Sequence, residues 1–278
     1  MNRSTSPPVR IIERKSGWRA LDLRELFLYR DLFRFLVYRD VMVLYKQTIL
    51  GFGWAVVRPV LSMIVFSVVF GRLAKIPSDG IPYPLFSFAA LVPWTYFQSA
   101  VTGSTTSLVA STHLISRVYF PRIIIPLTPV IAGLVDFAIA LVVLGVMMAL
   151  YGVTPTISVV YLPLMILIMA LTAASVGLWL SVFAIQYRDV RFALQFVIQL
   201  LLYAAPVVWP ASLIPEQYRV FYGFYPMAGV IEGFRSALLG THPMPWDLIA
   251  AGSFTAAVLF VSGVLHFRRT ERVIADVA

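Results

Sequence analysis

The sequence predicts an all-α integral membrane protein: six transmembrane helices, an N-terminal amphipathic helix at the membrane interface, and re-entrant periplasmic helices between spans five and six. Three observations carry this reading. The 278 residues are 60% hydrophobic and 13% charged, where a soluble domain has about a quarter of its residues charged. Crossing ~30 Å of hydrocarbon takes about 20 apolar residues, and such runs recur at roughly 54–74, 85–106, 124–151, 157–184, 192–210 and 247–267. None alternates with the period of two of a membrane barrel, and a backbone in lipid must pair its polar groups internally, which leaves helices. The third and fourth runs are longer than needed, so tilt or a kink is expected there.

The net charge of +9 is a topology signal rather than a nucleic-acid footprint. Residues 1–53 carry ten Lys/Arg, and with Arg117, Arg122, Arg188, Arg191, Arg268, Arg269 and Arg272 they put seventeen on one side of the predicted membrane. Arg72, Lys75, Arg219 and Arg235 put four on the other. Lys/Arg excess marks the cytoplasmic face, so both termini are expected inside. Attraction of anionic lipid is a secondary effect. Residues 1–19 read as a flexible cytoplasmic tail without the apolar core of a signal peptide. The remainder divides into an interface helix over 20–50, a six-span domain over 51–270 and a second tail over 271–278. The absence of cysteine excludes disulfides, thiolate-bound metals and a thiol nucleophile.

Within 20–50, Arg24, Glu25, Arg30, Asp31, Arg34, Arg39, Asp40 and Lys46 interrupt Leu26, Phe27, Leu28, Leu32, Phe33, Phe35, Leu36 and Val37. That is too much charge for a span and too much apolar surface for free solution, so a helix lying in the interface satisfies both. It serves as a surface anchor, a docking surface for a partner, or both. The next element is the loop SLVASTHLISRVYFPRIIIP over 107–126. Pro121 restricts Phe120 to extended backbone, which predicts a short helix ending near Tyr119. A rigid cytoplasmic helix suits mechanical coupling, and an ordinary basic loop is the alternative. The stretch from Pro206 to Trp246 is apolar but broken by prolines and glycines, so it predicts two short helices dipping into the outer leaflet. There Glu232 and Arg235 are spaced to pair, and Gly229 and Gly233 permit close helix contact.

Chemistry is sparse. No glycine is followed by lysine, so no G-x-x-x-x-G-K-[ST] phosphate cradle exists. His113, His242 and His266 lie far apart, and no acidic cluster is spaced for a metal. Asp136 stands alone near the middle of span three, and Arg58 at the start of span one. An ionisable group inside a span points to function, against the alternative of a structural bond to a neighbouring helix. A single such group makes no proton relay, so the energy for work comes from outside the chain. Trp54, Trp94, Tyr96, Phe97, Trp209 and Trp246 fall near span ends, where interfacial belts place them, although some would also suit a path stacking on sugar rings.

The segments YRDVMVLYKQTILGFGWAVVRPVLSMIVFSVVFGRLAKI (38–76), YPLFSFAALVPWTYFQSAV (83–101), LISRVYFPRIIIPLTPVIAGLVDF (114–137), FAIQYRDVRFALQFVIQLLLYAAPVVWP (183–210) and YPMAGVIEGFRSALLG (225–240) together resemble the permease subunits of ABC-2 type polysaccharide exporters. That family moves lipid-linked O-antigen, capsular polysaccharide and teichoic acid. Order and spacing agree over about residues 25–270. One departure is visible: relatives commonly carry Asn where this chain has Tyr225 before Pro226.

The resemblance implies a bacterial inner-membrane homodimer working with two copies of a cytoplasmic ATPase subunit. ATP and Mg²⁺ are used by that partner, and this chain has no cofactor, metal or catalytic residue of its own. The substrate implied is an undecaprenyl-diphosphate-linked polysaccharide, O-antigen first. Residues matched to ATPase coupling are His113, Leu114, Arg117, Tyr119, Phe120 and Arg122, with Arg188 and Arg191 as a second contact. Arg30, Arg34, Arg39, Lys46 and Arg58 form a cationic substrate-access rim for the pyrophosphate, and Trp209, Pro210, Tyr225, Pro226, Glu232 and Arg235 a periplasmic gate. The rivals are an ABC-2 permease for drugs or smaller lipids, a membrane enzyme of polyprenyl-phosphate metabolism, and a non-transporting scaffold.

Overall fold

The computed structural model describes residues 27–46, 51, 53–115, 117–240 and 242–277. The readings placed on 1–26 and 47–50 lie outside the described residues. Helices account for the architecture, and no strand occurs among the described residues.

Helix α1 (Arg30–Tyr45) precedes the bundle, and α2 (Gly53–Phe66) runs directly into a π-helical turn over Ser67–Leu73. The widened turn lies where Tyr83 packs on Gly71, so closely that a Cβ there would sit 2.8 Å from the ring. Helix α3 (Tyr83–Ala110) and the single turn α4 (Thr112–Ile115) lead to α5 (Ile124–Leu150), which returns antiparallel to α3. A 3₁₀ turn at Ile157–Tyr161 opens α6 (Leu162–Gln186), and Tyr187 and Arg188 link it to α7 (Asp189–Ala204). Helices α8 (Glu216–Gly223) and α9 (Pro226–Leu239) precede the long α10 (Trp246–Val277).

Four of the predicted spans are helical segments long and apolar enough to cross a membrane: Gly53–Leu73, Ile124–Leu150, Ile157–Gln186 and Trp246–Glu271. The other two differ for separate reasons. Helix α3 has 28 residues, but Thr95, Gln98, Ser99, Thr102, Ser104, Thr105 and Thr106 dilute its apolar surface. It packs against α2, α5, α6, α7 and α9, and buries Leu85, Phe86, Phe88, Trp94 and Leu108 completely or nearly so. The predicted fifth run at 192–210 stops at Ala204 because Pro206 forces Ala205 into extended backbone. The sixteen residues of α7 extend only ~24 Å, short of the hydrocarbon thickness. Helix α10 continues through the stretch read as a C-terminal tail.

Side chains from α3, α5, α6, α7 and α9 fill the main core, among them Phe88, Trp94, Phe137, Met165, Met169 and Phe234. A smaller cluster of Leu108, Ile115, Phe120, Ile123, Leu178, Val182 and Phe267 closes one end of the bundle, and Tyr29 at the start of α1 and Leu32 within it pack on it. Every residue of α9 is buried. Its approach to α10 depends on missing side chains: a Cβ at Gly229 would lie 2.7 Å from the Leu248 carbonyl oxygen, and one at Gly252 would lie 2.9 Å from Pro226 Cα. Helix α2 and the π-helical turn after it stand at the other extreme, with Pro59 their only buried residue and Leu61, Ile64, Val65, Val68 and Val69 exposed.

Candidate functional site

At the end of the bundle closed by the smaller cluster, the predicted coupling helix is a single turn. It stops at Ile115, four residues before the expected end at Tyr119. Arg117 and Val118 close a turn by donating their N–H groups to the Leu114 carbonyl at 3.3 and 3.2 Å. The chain turns there because Ile115 and Phe120 both drop into the cluster, which a continuous helix does not allow at that spacing. Val118 and Tyr119 are left facing outward, Tyr119 at 73% exposure. With Ile115, Arg117, Phe120 and Arg122 they line an open cleft of about 230 Å³.

Arg122 anchors this cleft from behind. Its Nη1 donates to the Glu271 carbonyl oxygen at 2.6 Å, and Glu271 Oε1 accepts the Arg122 backbone N–H at 3.3 Å. The loop is thereby fixed to the last helix, 149 residues away in the chain. Among the sequence-predicted coupling residues, Arg117, Tyr119 and His113 are exposed, whereas Leu114, Phe120 and Arg122 hold the loop in place. Arg188 is exposed at the α6–α7 turn, and Arg191 is half-buried one turn into α7. The same end receives them, since Val182 and Ile185 of α6 pack on the cluster that holds Phe120.

The predicted cationic rim is partly self-neutralised. Arg30 and Arg34 flank Asp31 at 3.8 and 3.7 Å, and Arg39 meets Asp40 at 2.8 Å. Such exposed pairs contribute little to stability and exchange readily. Arg30 lies 4.5 Å over the Phe27 ring, and Arg58 lies 5.5 Å over the Trp54 ring. Lys46 is exposed just past α1.

The opposite end holds a buried charge network. Arg235 is fully buried and pairs with Glu232 at 2.9 Å. Its Nε donates to the Phe86 carbonyl at 3.3 Å and its Nη2 to the Val207 carbonyl at 2.9 Å, while the guanidinium lies 3.5 Å over the Phe86 ring. Glu232 Oε1 also accepts the Ala211 N–H at 3.1 Å. One ion pair therefore ties α9 to the start of α3 and to the irregular segment after α7. A buried pair withstands desolvation when further hydrogen bonds support it, and here each guanidinium nitrogen has an acceptor and Glu232 Oε1 has a second donor.

The other predicted gate residues surround this network. Trp209 Nε1 donates to the Tyr203 carbonyl at 3.1 Å, and its ring meets that of Tyr222 at 5.7 Å. Tyr225 donates its hydroxyl to the Leu201 carbonyl at 3.3 Å and adopts the extended backbone that Pro226 requires, so the departure from Asn leaves the turn intact. Pro210 and Pro226 are buried.

Three groups escaped the sequence reading. Tyr83 donates its hydroxyl to the Val208 carbonyl at 2.7 Å. Asp79 accepts from Ser212 at 3.2 Å and faces His242 at 3.2 Å, joining three loops at the Arg235 end. Glu271 was passed over as part of a tail. Nothing local in the sequence distinguishes them, because each partner is remote in the chain. Asp136, half-buried in α5, has its Oδ1 buried without a hydrogen-bond partner, so no bond through that oxygen to a neighbouring helix is formed.

Comparison with known proteins identifies the family. The family described as ABC-2 type transporter matches residues 31–239, from α1 to the end of α9. An O-antigen export system permease protein RfbA of Klebsiella pneumoniae is 28% identical over 249 residues, covering 89% of this chain and 95% of the relative. One from Myxococcus xanthus is 28% identical over 255 residues, covering 90% and 96%. The polysialic acid transport protein KpsM of Escherichia coli is 22% identical over 247 residues, covering 86% and 93%. With the family match spanning the coupling loop, the central helix and the buried ion pair alike, the chain belongs to the ABC-2 type transporter family.

Proposed function

We propose that this protein is the permease subunit of an ATP-driven exporter that carries an undecaprenyl-diphosphate-linked polysaccharide out of the cytoplasm, with O-antigen the first candidate and capsule or teichoic acid the next. The observation that carries this reading is likeness along nearly the whole chain to permeases named for O-antigen export and polysialic acid transport. The protein sits in a bacterial inner membrane with both termini cytoplasmic, in keeping with the bias of Lys/Arg toward one side.

Two copies of the chain face one another, and two copies of a cytoplasmic ATPase dock at the Val118–Tyr119 surface. ATP and Mg²⁺ are bound and used by that partner. The exposed faces of α2 and α7 are covered in the dimer, which accounts for the sparse burial of α2 in one copy. The anionic diphosphate is drawn to Arg30, Arg34, Arg39, Lys46 and Arg58, where it displaces the weak Asp31 and Asp40 partners. ATP-driven closure of the partners moves the loop at Arg117–Arg122. Because Arg122 is bonded to Glu271, the motion reaches α10 as well as α3 and α5. The Glu232–Arg235 network holds the far end shut in this conformation.

Deletion of the gene tests the reading directly. Undecaprenyl-linked glycan accumulating inside the cell, with its loss from the surface, is the expected result. Unchanged surface glycan with altered efflux of a drug or a smaller lipid supports the rival permease class instead.

A further inference from the structure

One carboxylate joins three loops at the Arg235 end of the bundle. Asp79 lies in the tight turn Ser78-Asp79-Gly80-Ile81, closed by the Ile81 N–H on the Ser78 carbonyl at 3.0 Å and the Ser78 hydroxyl on the Ile81 carbonyl at 2.6 Å. Both central residues have positive φ, 50° at Asp79 and 80° at Gly80, a geometry that Asp-Gly pairs accept in such turns. The turn presents the Asp79 carboxylate in a fixed direction. Its Oδ1 accepts the Ser212 hydroxyl at 3.2 Å, from the segment after α7, and its Oδ2 meets His242 Nε2 at 3.2 Å, from the link between α9 and α10. The carboxylate side chain is 13% exposed, whereas the imidazole is 48% exposed and open to the medium.

Few other charges compete at this point. Lys75, Asp79 and His242 are the only ionisable residues in the three joined loops, 74–82, 205–215 and 240–245, and Lys75 is exposed. From α9, the charge of Arg235 also acts on Asp79, but that guanidinium is held by Glu232. From the start of α3, the Tyr83 hydroxyl is given to the Val208 carbonyl. We propose that His242 and Asp79 form a proton-operated latch: with the ring charged, the three loops are drawn together and export slows, and with the ring neutral they part more easily. The inference rests on the export function above, in which this end faces away from the cytoplasm and opens.

Histidine as a class changes charge between about pH 5 and 8, the range an outward face meets. The sign follows from the partner. An imidazolium attracts the Asp79 carboxylate, while a neutral ring offers at most an ordinary hydrogen bond. The proton is therefore held better when the loops are joined, so acid outside favours the closed arrangement and rising pH loosens it. A half-exposed pair is weak, which suits a modulator. The buried Glu232–Arg235 pair beneath it does the holding.

The test uses the full chain with its ATPase, in cells lacking the native copy, at external pH of about 5.5 and about 7.5. Surface glycan formation is measured for wild type, H242Q, H242R and D79N. H242R carries a permanent cation, and D79N keeps an acceptor for Ser212. Each rate is divided by that of H242Q at the same pH, which removes general effects of acid on growth and on the ATPase. The wild-type ratio should be near one at the higher pH and fall about threefold at the lower. The H242R ratio should be low at both, and the D79N ratio near one at both. On the purified chain, hydrogen exchange of residues 76–82, corrected for its intrinsic pH dependence, should slow about threefold in acid for wild type and not for H242Q. A wild-type ratio that is the same at both pH values overturns the proposal, whatever the exchange shows. Deletion of the gene that leaves surface glycan intact overturns the export function instead. The latch is then judged by exchange alone, and equal exchange in wild type and H242Q overturns it.

Discussion

Arg122 and Glu271 hold one another at both ends: the guanidinium donates to the Glu271 carbonyl and the Glu271 carboxylate accepts the Arg122 backbone N–H. A loop between the third and fifth helices is thereby clasped to the end of the tenth, so a push on the loop is felt by both.

Removing that clasp should uncouple rather than unfold. Arg122→Ala loses the charge-assisted bond to the Glu271 carbonyl, whereas Glu271→Gln keeps that carbonyl and an amide oxygen for the Arg122 N–H. Charge-assisted bonds of this kind contribute about 1.5–3 kcal/mol. Export and stimulated ATP hydrolysis should fall roughly tenfold in R122A, the equivalent of about 1.4 kcal/mol, and less than threefold in E271Q. Side-by-side transport and hydrolysis assays check the ordering, and equal effects would remove the special role of the guanidinium.

Tyr119 should behave as a contact residue. At 73% exposure it carries little of the fold, so Tyr119→Ala should change unfolding stability by less than about 0.5 kcal/mol. An aromatic anchor at a protein interface commonly costs about 2 kcal/mol or more on truncation. ATPase affinity, measured by titration in detergent, is therefore expected to drop by about thirtyfold. Phe120→Ala should do the reverse, lowering the thermal midpoint first, because its ring is buried in the end cluster.

The ion pair of α9 gives the largest stability effect. Glu232→Ala strands a fully buried guanidinium and orphans the Ala211 N–H, which should cost about 3–5 kcal/mol. The double change Glu232→Gln with Arg235→Met should recover much of that loss, since no uncompensated charge remains. Thermal unfolding of the purified protein gives both values. A single mutant as stable as wild type would mean that the network is solvated in the membrane.

Gly229→Val tests the packing of α9 on α10. The new Cβ would meet the Leu248 carbonyl at 2.7 Å, a backbone atom that cannot swing aside. Overpacking of this kind costs about 1–3 kcal/mol. The same change at Gly145, where an added Cβ meets nothing within 4 Å, should be nearly neutral by the same unfolding assay.

Much was legible from composition and spacing. Long apolar runs gave the helices, since lipid permits no other pairing of the backbone. The Glu232–Arg235 pair was legible because three residues on a helix bring side chains to one face. A short helix in the 107–126 loop was legible, but it was overextended. Pro121 marks a limit at Tyr119, while the actual stop at Ile115 comes from burying Ile115 and Phe120 in one cluster. The fifth run was overextended too, as apolar Val207 and Val208 belong to the core around Arg235 rather than to a helix.

The sequence by itself determined that this is a helical membrane protein with its basic residues concentrated in a few segments. Those properties follow from composition, charge placement and local period, which need no knowledge of remote contacts. Only the tertiary structure decided which charges are occupied and which are offered. It joined Arg122 to Glu271 and closed Arg235 between Phe86 and Val207. Such pairings depend on which helix faces pack together, and a local pattern specifies a face without naming its neighbour.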